Sequence, residues 1–256
     1  MLDSGAFSAW SKGEETTVDQ VIASYDALVE AYLPFYKEIW LINLDKIPGE
    51  RGRSATPAEI DEALRVSDKN FEILTKRYGN RVLPVFHQDE SETRLKEVMQ
   101  QNPRYICVSP RNDLHEALRR DWATRVHRIT GAQWTHGLAA TGKAMMSEVP
   151  WRSVDSATWV QLAGYGGLIL CINGHLYVDH ISKDSSARFN LNDHIDNLPG
   201  AEKEVVRAAI EESGETYENC QVDHRARAWV NYWHFCKFVE TVERKVPPTQ
   251  QALFAL

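Results

Sequence analysis

Cysteine is scarce in this 256-residue chain. Its four thiols, Cys107, Cys171, Cys220 and Cys236, are too few and too scattered for a disulfide framework. Long apolar runs are missing too: none approaches the roughly 20 residues that a membrane-spanning helix needs. Residues 1–15 lack the basic-then-apolar order of a secretory leader, so the expected compartment is the cytoplasm. Basic charge is in deficit. A formal net charge of −7 excludes a general nucleic-acid coat protein, though not a local basic groove, because phosphate binding depends on where charge is placed. The glycines of "SGAFSAWSKG" follow neither dinucleotide nor P-loop spacing, and no G-x-S-x-G elbow or cysteine-nucleophile signature occurs. Internal repeats, low-complexity tracts and linkers are absent as well, which makes a single domain over residues 1–256 the economical expectation.

What is present reads as α/β. The chain is 43% apolar and 25% charged, enough for a real core. Strand candidates are residues 1–3, 39–45, 81–86, 104–109, 133–138 and 152–155. Between them, residues 18–33, 56–79, 91–101 and 113–130 carry apolar side chains at three- and four-residue spacing, the stripe of an amphipathic helix. Thr56-Pro57 and Ser91 look like helix starts and Gly79 like a stop. Residues 167–172 and 175–181 flank Asn173-Gly174, a strong hairpin signal. Strands alternating with helices imply a parallel sheet, doubly wound or closed as a barrel. Residues 200–213 and about 222–245 read as helices, the second ended by Pro247-Pro248, with Trp229, Tyr232, Trp233, Phe235, Phe238 and Val239 expected to pack it down.

Polar residues gather at the strand ends: Asp3; Asn43 and Asp45; His87, Gln88 and Asp89; Ser109; His136 and Gly137; and Asp155. In parallel α/β architectures the carboxyl ends of the strands share one face, where active sites form. Taken singly, each is as well explained by helix capping or turn formation. Two carboxylates on one rim suit displacement at a sugar carbon, one attacking and the other handling the leaving group's proton. A third beside an amide suits a flat donor–acceptor edge such as guanine.

Five motifs then support a family resemblance. "LDSGAFSAW" (2–10), "NLDKIPG" (43–49), "VFH" (85–87), "HGLAATG" (136–142) and "PWRSVDSATW" (150–159) resemble, in the same order, the strand-end motifs of the tRNA-guanine transglycosylases. The likeness is closest to the short phage and bacterial relatives that exchange guanine in DNA for a 7-deazaguanine such as preQ0. It implies a (β/α)8-type TIM barrel, irregular or incomplete, with residues 1–185 as barrel core and 186–256 as a C-terminal helical part. Six strands and a hairpin are visible, so closure uses residues 167–181 or leaves a gap. The resemblance also implies a double-displacement glycosyltransferase without cofactor. In that reading Asp155 is the nucleophile at C1′ and Asp3 the general acid/base. Asp45, His87, Gln88 and Gly137 contact the base, with Ser4 and Phe7 beside them. If phage-encoded, the protein would act in the host cytoplasm.

The chain departs from the tRNA enzymes in lacking their Cys-x-Cys-x-x-Cys…His zinc motif. Cys220, His224, His234 and Cys236 do not replace it by spacing, so no metal is expected and the substrate tilts toward DNA, with tRNA as the alternative. A catalytically dead barrel that binds nucleic acid or a partner protein keeps the fold without the reaction. A base within a duplex must be flipped out to reach a barrel mouth. Phe7, Trp10 and Trp159 are candidate stacking residues. Lys12, Arg51, Arg53, Arg119 and Arg120 are candidate phosphate contacts, with solvated helix or loop faces as their bland explanation.

Overall fold

The computed structural model describes residues 1–50, 52–189 and 194–242, and the chain divides into two compact units. Among the described residues, the first holds 1–140 and 148–155, and the second holds 141–147 and 156–242.

In chain order, the elements through residue 154 are α1 (Ala6–Lys12), α2 (Val18–Tyr32), β1 (Leu41–Ile42), α3 (Pro57–Tyr78), β2 (Val82–Leu83) and β3 (Val85–His87). There follow α4 (Glu92–Gln100), β4 (Ile106–Ser109), α5 (Glu116–Thr130), β5 (Thr135–Gly137), α6 (Lys143–Glu148) and β6 (Ser153–Val154). Every strand pairing among them is parallel. Leu2 bridges Leu41, β1 pairs with β2, and β3, β4, β5 and β6 form a sheet in that order. β2 and β3 are two halves of one extended run split by Pro84. Proline has no N–H to give a ladder, but the Pro84 carbonyl still accepts from the Cys107 N–H at 2.9 Å. Six parallel segments therefore lie side by side in the order of the chain.

Local chemistry explains the helices. Thr17 with Gln20, and Thr56 with Glu59, form reciprocal capping boxes, and Pro57 occupies the first turn of α3, where an N–H would have no partner anyway. The small-residue segment after Asp3 leads into α1. Gly5 (φ 77°) and Gly13 (φ 70°) bracket it with left-handed backbone that only glycine adopts freely. Beneath the strands Tyr25, Leu41, Leu74 and Val82 make one apolar cluster, and Ile42, Leu83, Tyr105 and Cys107 another. The buried Tyr25 hydroxyl donates to the Ile42 carbonyl at 2.6 Å, so even the core's phenol is satisfied.

The second unit contains α7 (Thr158–Gly164), β7 (Gly167–Ile172), β8 (His175–His180), α8 (Gly200–Glu212), α9 (Tyr217–Val222) and α10 (His224–Thr241). β7 and β8 pair antiparallel over all six residues, through Asn173 (φ 50°) and Gly174 (φ 75°), as Asn-Gly between apolar runs implies. Residues 167–181 therefore form a sheet of their own rather than parallel strands, and they group with the helices that follow.

The expected helix over about 222–245 is α10, which starts at His224, and the short α9 precedes it. Asp223 ends α9 and caps α10, its carboxylate accepting the Arg225 N–H at 2.8 Å; Pro247 and Pro248 lie outside the described residues. The face that α10 buries matches the expected aromatic stripe only in part: Phe238 is buried, and Trp233, Phe235 and Val239 are half-buried. It comprises Ala226, Arg227, Val230, Asn231, His234 and Phe238, while Trp229 and Tyr232 are about half exposed. Its polar members make the fold's connections. Asn231 Oδ1 accepts the Ile169 N–H at 2.6 Å and His234 Nδ1 accepts the Cys171 N–H at 3.0 Å, both from β7. No described helix is long and apolar enough to cross a membrane.

Candidate active site

The C-terminal ends of the parallel segments carry a set of ionisable residues. Asp3 follows Leu2, Asp45 lies three residues beyond β1, His87 ends β3, His136 lies within β5, and Asp155 follows β6. Asp45 and His87 are both buried and hydrogen-bonded, Oδ2 to Nε2, at 2.7 Å. Burial alone would push the His87 imidazole down, but the bond to Asp45 and the charges of Asp45, Glu90 and Asp89 outweigh it and raise it.

Asp3 and Asp155 are shifted in opposite directions. Although Asp3 keeps an exposed side, the protein packed around its carboxyl pushes it up, and the negative charges of Asp155 and Asp45 push the same way, against N–H donors from Gly5 and Ser4. Asp155 also feels desolvation upward. The His136 ring, with Nε2 3.7 Å from Oδ1, and the Ala139 N–H, 2.9 Å from the same oxygen, more than offset it and hold this carboxyl below the usual range. The charges of the same three aspartates act on one buried thiol: Cys107 is raised first by burial, then by Asp45, Asp155 and Asp3.

The loop over Asp155 is built with care. Ala139 takes a left-handed backbone (φ 50°), unusual for a residue with a Cβ and costing about 1–2 kcal/mol. Arg119 supports that turn, its Nη2 donating to the Ala139 carbonyl at 2.8 Å. A Cβ on Gly137 would stand 2.7 Å from the Ala140 Cβ and 3.1 Å from the Trp151 ring. Glycine is therefore required here by protein packing under the turn. The side of residue 137 where a side chain would go is filled by protein, not left open for a base.

Beside this cluster is a cavity of about 140 Å³, lined by Phe7 and Trp10 of α1, by His87, Gln88 and Asp89 after β3, and by Arg111 after β4, among others. Phe7 and Trp10 are 5.7 Å apart, and the Trp10 indole donates to the Gly49 carbonyl at 3.0 Å, which pins the 47–50 loop to α1. Gln88 is part of this lining, and its Oε1 accepts the Arg111 N–H at 3.0 Å. Arg111 in turn holds Asp89 (3.2 Å) and Asp113 (2.6 Å). A larger hollow of about 690 Å³ adjoins on the other side of Trp10 and is lined by Asp45 and by Glu14 and Glu15. Asp3, His136 and Asp155 line neither cavity.

The remaining expected residues fall as follows. Ser4 is buried, and its hydroxyl faces the Ala6 N–H at 3.4 Å, at the start of α1. Lys12 is exposed at the end of α1. Arg53 is clamped by Glu59 at 2.8 and 2.5 Å, and Arg120 by Asp121 (2.8 Å) and Glu148 (3.2 Å); Arg119 is turned into the Ala139 loop. Arg51 lies outside the described residues. Trp159 belongs to the second unit, where it packs on Tyr232. His234 is held between Cys171 and Ala209, and Cys220 and His224 lie on different helices. No group of three His, Cys, Asp or Glu side chains among the described residues is arranged to hold a metal ion.

Two residues gain weight that the sequence did not give them. His136 stands at a strand end beside the glycine that drew attention. Glu90, the last letter of "VFHQDE", is raised to about 7 by burial, and its Oε2 has no hydrogen-bond partner. No family model, curated protein or solved structure matched the chain.

Proposed function

We propose that the first unit is a base-exchanging glycosyltransferase of the tRNA-guanine transglycosylase type, replacing guanine in DNA by a 7-deazaguanine. The observation that carries this reading is that Asp3 and Asp155 both follow parallel segments at their C-terminal ends, with Asp155 held by the Ala139 N–H at 2.9 Å and faced by His136 at 3.7 Å; its carboxyl is held down while that of Asp3 is pushed up. Separating two carboxyls in this way assigns one as ionised nucleophile and the other as proton carrier. Asp155 attacks C1′ and the bond to N9 breaks, its electrons going to the departing guanine, which takes a proton from Asp3. The incoming base then returns its N9 proton to Asp3 and displaces Asp155 from C1′. Protons balance over the cycle, and no redox partner is involved.

A barrel-like curl of the sheet fits the same observation. Across a flat sheet the first and sixth segments would be separated by five strand spacings, roughly 24 Å. Charges that far apart are screened beyond recognition. Yet Asp155 is the strongest charge acting on Asp3, and both act on Cys107. Strands in strict chain order with crossovers of one hand also put their helices on one face, which favours curling to bury the other. This supports the (β/α)8-type expectation for the first unit, while two of eight strands remain unassigned there.

The cavity beside Phe7 and Trp10, with Gln88 in its lining, suits a planar base with a polar edge. The test is exchange of labelled guanine, or a 7-deazaguanine, into DNA and into tRNA, with a denaturant-stable protein–nucleic acid adduct as second readout. Wild-type protein is expected to label DNA and form the adduct, and Asp155→Ala to do neither. Asp155→Ala exchanging base at the wild-type rate would remove the proposal, and labelling of tRNA alone would move the substrate from DNA to tRNA.

A further inference from the structure

His136 has one nitrogen anchored and one free. The residue is 4% exposed, Nδ1 lies 2.8 Å from Ser153 Oγ, and Nε2 has no hydrogen-bond partner. A buried polar atom without a partner is uncommon and costly, so its direction matters. It faces Asp155 Oδ1 at 3.7 Å, the oxygen that already accepts the Ala139 N–H at 2.9 Å. A lone pair on Nε2 would point at a carboxylate. The favoured arrangement puts the proton there, with the Ser153 hydroxyl donating to Nδ1. Both donors thus converge on Oδ1, and Oδ2 is left as the oxygen that can attack.

We infer that His136, together with the Ala139 N–H, forms the cradle that receives the Asp155 carboxylate as it leaves the sugar. The inference rests on the base-exchange reading. In the covalent state Oδ2 is bonded to C1′ and Oδ1 is a neutral carbonyl oxygen. In the second step the N9 electron pair of the incoming base forms the bond to C1′, the C1′–Oδ2 bond breaks, and its electron pair returns to the carboxylate. The N9 proton passes to Asp3. The returning charge spreads to Oδ1, where two pre-aimed donors meet it. Because they favour carboxylate over ester, the donors speed breakdown of the covalent state more than its formation. Arg119 holds one of them in place by fixing the Ala139 carbonyl.

The test compares wild type, His136→Ala and His136→Gln with a guanine-containing DNA and a 7-deazaguanine base, following adduct formation and breakdown separately by rapid quench. Removing a hydrogen bond to a charged group should slow breakdown roughly 10- to 100-fold. Adduct should therefore accumulate in His136→Ala, and the amide of His136→Gln should restore part of the rate. A purely structural role would depress formation and breakdown alike; that result, or unchanged breakdown in folded His136→Ala, overturns the inference and leaves base exchange standing. Wild-type protein that forms no adduct and exchanges no base would overturn the exchange reading itself, and this inference with it. Nitrogen-15 NMR of the imidazoles in the full chain supplies a readout independent of activity, even if the alanine variant does not fold. The Nε2–H tautomer is expected for His136, disturbed by Ser153→Ala; the Nδ1–H tautomer in wild type would refute the cradle.

Discussion

Replacing His127 by glutamine should change how the first unit responds to acid. His127 is buried between two neutral groups: Nδ1 donates to the Ala123 carbonyl and Nε2 accepts from the Thr135 hydroxyl, both at 2.8 Å, with the Trp151 ring edge-on at 4.6 Å. No carboxylate compensates a proton there, and burial lowers the imidazole from 6.5 to about 4. A depressed histidine binds its proton in the unfolded chain first, so its contribution to stability is lost as pH falls from 6.5 toward 4. With those two values the loss between pH 8 and pH 5 is about 2 kcal/mol. Glu90 acts in the opposite sense. Its carboxyl is raised from 4.5 to about 7, so the folded state holds the proton more tightly and stability is lost as pH rises through that range. The same arithmetic gives about 2.5 kcal/mol gained between pH 8 and pH 5. These two contributions nearly cancel in the wild-type chain, and each variant should uncover the other. Urea denaturation at pH 5 and pH 8 should show the stability deficit of His127→Gln shrinking by about 2 kcal/mol on acidification. Glu90→Gln should gain on wild type by about 2.5 kcal/mol when the pH rises from 5 to 8. If the His127→Gln deficit is the same at both values, His127 is not a neutral buried imidazole and the reasoning fails.

Two further outcomes follow from packing and hydrogen bonding. Gly137→Ala should cost about 1–3 kcal/mol in chemical denaturation, because its methyl must displace Ala140 or the Trp151 ring; a neutral effect would mean the turn over Asp155 yields easily. Asn231→Leu leaves the Ile169 N–H buried without its acceptor and should cost about 1–3 kcal/mol, with faster hydrogen exchange at Ile169 as the specific signature.

The legible parts of the molecule were those governed by local chemistry. Thr56-Pro57 and Ser91 began helices where capping requires it, and Asn173-Gly174 turned a hairpin because both residues tolerate positive φ. Parallel strand segments came through as short apolar runs, although Pro84 split one of them and the first shrank to a single bridge at Leu2. The buried face of α10 was legible only in part, for a physical reason: periodicity counts apolar side chains, whereas this helix also buries Asn231, His234 and Arg227, which satisfy backbone groups elsewhere in the chain. The aspartates were visible because strand ends in parallel sheets share a face. What lies around them was not. That Arg53 and Arg120 spend their charge on nearby carboxylates, and that His136 keeps a nitrogen free, depends on side-chain directions that spacing does not encode.

The side chains that α10 presents to β7 have a bearing on how the protein would fail. A two-stranded ribbon normally leaves a row of backbone donors open to any passing chain, the usual seed for self-association. Here Asn231 and His234 occupy two of those donors, so the ribbon offers less of a template than its length implies. A product truncated ahead of residue 224 would keep the apolar run 167–172 and lose both acceptors, leaving those donors open to edge pairing.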